Sequence, residues 1–119
     1  MTANTPKSRK AKGRALQQQI RADLIDHLGI HDLDIKSTAM GQSGCDLYLS
    51  PAARAVFPYG IEAKNQESLN VWSALQQCQD NAEAEGLIPL LIFKRARSPT
   101  YAVLRWEDLL QLLSSRGAS

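Results

Sequence analysis

The sequence predicts an α/β or α+β domain in which a mixed central β-sheet carries flanking helices on its faces. Three observations predict it. Apolar residues recur at helical spacing early in the chain and again in its middle. Short runs between those stretches alternate with period two. A nearly continuous apolar run, IPLLIFK, reads as a buried central strand. The chain has 119 residues, enough for one compact domain. Its 44% apolar and 22% charged residues are an ordinary globular composition.

Residues 1–12 are rich in Lys, Arg, Ser, Thr and Ala and lack apolar periodicity, which predicts a disordered basic tail ahead of a single domain over 13–119. From Gly13 the pattern is helical: Leu16, Ile20, Leu24 and Leu28 recur every four residues, and Gly29 closes the run. LDIKS, residues 33–37, alternates as a short strand. QSG at 42–44 supplies a turn, and Asp46 to Leu49 a second strand that Pro51 ends. YGIEAKN gives a third strand with Ile61 and Ala63 on one face and Glu62 and Lys64 on the other. Pro58 marks its start as irregular or as a sheet edge. A second helix runs from about Asn70 to Glu85, with Val71, Leu75, Cys78 and Ala82 along its apolar stripe and Gly86 as its stop. IPLLIFKRA and TYAVLRW then form a hairpin, and EDLLQLL closes the chain as a short helix.

Several function classes are excluded. No apolar stretch approaches the length of about 20 residues that a membrane span needs, and no apolar core follows the basic start as in a signal peptide, so the protein is expected in the cytoplasm. Cys45 and Cys78 are far apart, and His27 and His31 complete no zinc pattern, which argues against structural zinc or a disulfide frame. Net charge is only +2, but Lys7, Arg9, Lys10, Lys12 and Arg14 fall in the first fourteen residues with no acid among them. Such a run is either a solvated terminus or a phosphate-binding arm. Lys36 and the hairpin residues Lys94, Arg95 and Arg97 extend the positive charge and are further candidates for contacting nucleic acid.

The chemistry lies in the strands. Residues two apart on a strand are about 6.6 Å apart and face the same way, so Glu62 and Lys64 can flank one small site that Asp46 reaches from the neighbouring strand. Paired carboxylates are hard ligands suited to Mg²⁺, with Mn²⁺ as a substitute, and such an ion polarises a phosphoryl oxygen and generates hydroxide at neutral pH. Lys64 can hold the attacking water and balance transition-state charge. A Glu-x-Lys by itself is also what a solvated cross-strand ion pair looks like, worth under about 1 kcal/mol.

The combined order is more specific: a helix, Gly-x-Asp opening a strand, then Glu-x-Lys on the next strand, then a helix. In this it resembles the PD-(D/E)XK nuclease superfamily and its restriction-endonuclease-like αβββαβ core, nearest to small Holliday junction resolvases and phage-encoded endonucleases of that kind. The resemblance covers most of residues 12–95, including Lys12-Gly13 at the helix start. It implies Asp46 and Glu62 as metal ligands, the Ala63 backbone carbonyl as a further ligand, and Lys64 as the catalytic lysine. It further implies a metal-dependent endodeoxyribonuclease acting on branched DNA, working as a homodimer because a resolvase cuts two strands, with residues 88–93 and the terminal helix as candidate interface surfaces. Where the resolvases carry a glutamate on the first helix, this chain has Gln17. Its amide either bonds nearby backbone or helps position a metal or its water. A glutamine following Glu-x-Lys is also common in the superfamily: Gln77 fits by position, Gln79 by periodicity, and Gln76 lies beside them. Two other functions fit the same resemblance: a catalytically impaired DNA-binding module, for which Gln17 is the best argument, and a repair or restriction nuclease on ordinary duplex DNA.

Overall fold

Helix α1 (Pro6–Leu28) starts seven residues earlier than its apolar stripe predicts. In the computed structural model, which describes residues 5–38 and 44–117, most of the expected disordered basic tail is helix, and only residues 1–4 of it lie outside the described residues. The cause is local. The Thr5 hydroxyl accepts the Ser8 N–H at 3.1 Å, Pro6 fills a first-turn position that needs no donor, and Lys, Arg and Ala are good helix formers. The helix ends where expected: Gly29 adopts the left-handed conformation (φ 69°), and its N–H donates to the Ile25 carbonyl. A strict four-residue repeat drifts by about 40° per step on a helix of 3.6 residues per turn. Leu16, Ile20 and Leu24 are accordingly buried, whereas Leu28 is 46% exposed.

The next segment departs from the alternation. Asp32–Asp34 forms a 3₁₀ turn, because His31 Nδ1 accepts the Leu33 N–H at 3.1 Å. The first strand therefore shrinks to β1 (Ile35–Ser37), and Leu33 turns out to solvent. β1 pairs antiparallel with β2 (Leu47–Leu49), Ile35 opposite Leu49. Of the turn expected at 42–44, only Gly44 lies among the described residues, with φ 102°. After β2 comes a helix that the pattern did not reveal, α2 (Pro51–Val56), opened by Ser50 accepting the Ala53 N–H and by Pro51 in the first turn.

β3 (Tyr59–Asn65), α3 (Val71–Ala84) and β4 (Ile88–Lys94) form a strand–helix–strand unit whose strands are parallel, with Lys64 level with Phe93. β5 (Tyr101–Val103) pairs antiparallel on the far side of β4, with Tyr101 opposite Phe93. The mixed sheet thus has the order β3-β4-β5. The two sheets are stitched at Asp46: its N–H donates to the Ile61 carbonyl at 2.9 Å, and its own carbonyl accepts the Thr38 N–H at 3.0 Å.

The core lies on both faces of this assembly. Leu16, Ile20 and Leu24 of α1 pack with Ile35, Leu47, Leu49, Ile61, Ala63 and Leu90, while Ala74 and Cys78 of α3 pack with Leu91 and the flanking Phe93 and Val103. β4 is the central strand and Pro89, Leu90 and Leu91 are buried, so within the run 88–93 the surface left for a partner is that of the half-buried Ile88, Ile92 and Phe93. The last helix, α4 (Trp106–Gly117), does carry exposed apolar side chains: Trp106, Leu110, Leu112 and Leu113.

Candidate active site

The alternation along β3 sends Ile61 and Ala63 into the α1 core and turns Glu62 and Lys64 toward α3. Glu62 is only 3% exposed. Its Oε2 lies 3.6 Å from Lys64 Nζ, and its Oε1 accepts the Asn81 amide at 3.3 Å. Asp46, just before β2, lies along the edge of β3, where its Oδ2 accepts the Ala63 N–H at 2.7 Å. Asp46, Glu62, Ala63 and Lys64 are thereby brought together. Burial pushes the Asp46 carboxyl above its ordinary range, opposed by the Ala63 N–H and by the Lys64 charge. Burial also pushes Glu62 up, reinforced by the charge of Asp46 and opposed by Lys64 and Asn81. Two acids crowded into a poorly solvated corner with one lysine are short of positive charge.

Helix α3 meets this row in register. Gln77 and Asn81 are four residues apart, about 6 Å along a helix, and Glu62 and Lys64 are about 6.6 Å apart along a strand. Asn81 accordingly bonds Glu62, and Gln77 shares with Lys64 a hollow of about 260 Å³ that Ser73 and Asn70 also line. The neighbouring glutamines go elsewhere: Gln76 donates to Asp80, and Gln79 lines a different cavity with Trp72 and Arg105. Asn81 was missed from sequence, because the four-residue spacing recurs all along α3 and only the docking of the helix on β3 selects Gln77 and Asn81. Gln17 is buried on the face of α1 that packs on the sheet, and no buried polar side-chain atom among the described residues is left unsatisfied.

Of the basic candidates, Lys94, Arg95 and Arg97 line one cavity beyond the C-terminal ends of β3 and β4. Asn65, at the end of β3, donates to the Lys12 carbonyl at 3.1 Å, which ties the basic half of α1 to the site strand. Lys36 stands 5.5 Å from the centroid of the Tyr48 ring, which Arg54 also approaches. The thiols are inert: burial pushes Cys45 up to about 12 and Cys78 to about 11.

The donor set bears on a metal. Among the described residues no group of three or more His, Cys, Asp or Glu could hold an ion. Mg²⁺ is commonly held by one or two carboxylates and completes its shell with water and substrate phosphate. Asp46, Glu62 and a backbone carbonyl fit that mode, and a cation there would supply the missing positive charge.

An αβββαβ core with an aspartate beside Glu-x-Lys defines the class as a PD-(D/E)XK nuclease. Within it, the chain belongs to the family described as "Phage putative PDDEXK endonuclease", which it matches over residues 8–118. No curated protein and no solved structure matches it.

Proposed function

We propose that the protein is a divalent-metal-dependent endodeoxyribonuclease that hydrolyses phosphodiester bonds in branched DNA, acting as a homodimer in the cytoplasm of a phage-infected or prophage-carrying bacterium. The observation that carries the proposal is the Asp46 carboxylate hydrogen-bonded to the Ala63 N–H, which sets it beside Glu62 and Lys64. Asp46, Glu62 and the Ala63 carbonyl would hold Mg²⁺, with Mn²⁺ as a substitute. A cation so held supplies Lewis acidity and lowers the pKa of its water toward neutrality. Asn81 fixes the Glu62 carboxylate by holding Oε1. The Lys64 ammonium donates to the attacking water or to a phosphoryl oxygen and offsets the charge that develops there. Gln77, exposed in the same hollow, can donate to the phosphate. Attack of water on phosphorus breaks the bond to the 3′ oxygen, which leaves with a proton and gives 5′-phosphate and 3′-hydroxyl ends. The basic residues of α1 and of the β4–β5 turn neutralise flanking phosphates without reading bases. The exposed leucines of α4 would supply the dimer contact. The test is cleavage of four-way junction, flap, single-stranded and duplex DNA with Mg²⁺, Mn²⁺ or chelator. Mg²⁺-dependent cutting that favours the branched substrates is expected, and equal cutting of plain duplex would replace branched DNA with duplex as the substrate.

A further inference from the structure

The sheet places an aromatic row beside the proposed catalytic lysine. Lys64 of β3, Phe93 of β4 and Tyr101 of β5 are paired at one level of the sheet, and paired residues share a face. Adjacent strands are about 4.8 Å apart, so Tyr101 starts about 10 Å from Lys64. The two rings stack, with centroids 5.9 Å apart and planes inclined at 28°. Phe93 is half-buried against α3, while Tyr101 is 54% exposed.

That ring borders the cavity of about 530 Å³ rimmed by Lys94, Arg95 and Arg97. The cavity shares Gln66 and Leu69 with the hollow beside Lys64, so the two adjoin. Its far wall is a braced turn: the Ala96 N–H donates to Glu67 Oε2 at 2.7 Å, Ser98 bonds the Arg95 backbone, and Arg97 takes a positive φ of 61°. An exposed aromatic side chain beside a cationic rim is the chemistry that single-stranded nucleic acid selects: a base stacks on the ring while its phosphates meet the charges. A base stacked between neighbours inside a duplex has no free face to offer.

We infer that this cavity binds an unpaired nucleotide of the substrate strand, stacked on Tyr101, one to about three base steps of about 3.4 Å from the scissile phosphate. The inference rests on the nuclease reading and deepens it. Recognition of branched DNA would then come from a captured unstacked base rather than from duplex curvature alone.

The test uses the full chain without divalent metal, so that no cutting occurs, with 2-aminopurine at the unpaired nucleotides of a flap. Wild-type protein should quench the probe. Tyr101→Ala should abolish the quenching and weaken flap binding about tenfold, as loss of one base–aromatic stack requires, with blunt-duplex binding unchanged. Tyr101→Phe should retain both signals. Arg95→Gln should keep the quenching while flattening the salt dependence of log K by about 0.7, the value for a single-strand phosphate. Wild-type flap affinity and quenching in Tyr101→Ala would overturn the inference, as would equal losses on flap and blunt duplex, provided thermal melting shows the variant folded. No binding of any DNA by the wild type would instead overturn the nuclease reading beneath it.

Discussion

Replacing Gly60 with alanine tests how tightly α3 is set against the site strand. A Cβ at position 60 would lie 2.8 Å from the Ala82 Cβ, 2.9 Å from Cys45 Sγ and 3.0 Å from the Ala82 Cα. Ala82 and Cys45 are both buried, and a helix backbone atom cannot rotate aside as a flexible side chain can. Strand and helix must separate by several tenths of an ångström. Overpacking of this kind costs about 1–3 kcal/mol, and each kcal/mol lowers Tm by about 3–6 °C for a domain of this size. A fall of about 3–18 °C is expected by far-UV circular dichroism. The same displacement pulls Asn81 from Glu62, whose hydrogen bond is already 3.3 Å, so the cleavage rate should fall about tenfold, given that misplacement by 1 Å can cost about a hundredfold. Adding Ala82→Gly removes the nearest clashing atom, and the double variant should be less destabilised than the sum of the singles by at least about 0.5 kcal/mol. A Tm drop under about 2 °C for Gly60→Ala, or strict additivity, would refute the close approach.

Asp46→Asn, Glu62→Gln and Lys64→Ala should each lower the cleavage rate by at least about a hundredfold while DNA binding persists; a wild-type rate in any of them removes that residue from the chemistry. In the metal-free protein the native state binds protons more tightly than the unfolded chain at Asp46 and Glu62, whose folded pKa values are raised. Their contribution to stability is therefore full below the ordinary carboxylate pKa of about 4 and is lost as pH rises through the folded values. Asp46→Asn should accordingly raise the metal-free Tm at pH 7.5, and Mg²⁺ should raise the wild-type Tm more than the variant's. Changing Lys7, Arg9 and Lys10 to alanine keeps α1 helical and should flatten the slope of log K against log[salt] by about two to three units if each meets a phosphate; an unchanged slope makes that half-helix merely solvated. Leu110→Glu with Leu113→Glu should leave a sedimentation monomer at micromolar concentration, and a dimer that survives the change places the contact elsewhere.

Much of this was legible in the order of residues because the informative signals were local. Gly29, Pro51 and Gly86 punctuate elements, and the alternation along YGIEAKN sorted Glu62 and Lys64 from Ile61 and Ala63. Membership of the PD-(D/E)XK class could be read from Asp46, Glu62 and Lys64 in their setting. What escaped depended on caps and on partners distant in the chain. Thr5 and His31 redirect the backbone through single side-chain hydrogen bonds, so α1 gained a basic half and Leu33 lost its place in a strand. Composition made the first twelve residues look tail-like, although lysine and arginine are helix formers once a cap is supplied. Asn81 and the Tyr101 row owe their positions to strand register and helix docking, which no window of sequence contains.

The hydrogen bond from Ala63 to Asp46 also gives the aspartate a protective duty. β3 is the outer strand of its sheet, and the groups along its free side could recruit a strand from another molecule. Asp46 occupies two of them at once, donating its N–H to Ile61 and accepting from Ala63 through its side chain. An alanine at position 46 would uncover the Ala63 N–H beside apolar neighbours and so invite self-association, whereas asparagine keeps an oxygen there. Poor recovery of an alanine variant would then speak of an opened sheet margin as much as of lost chemistry, and a family that discarded cleavage could still be held to a polar residue at this point.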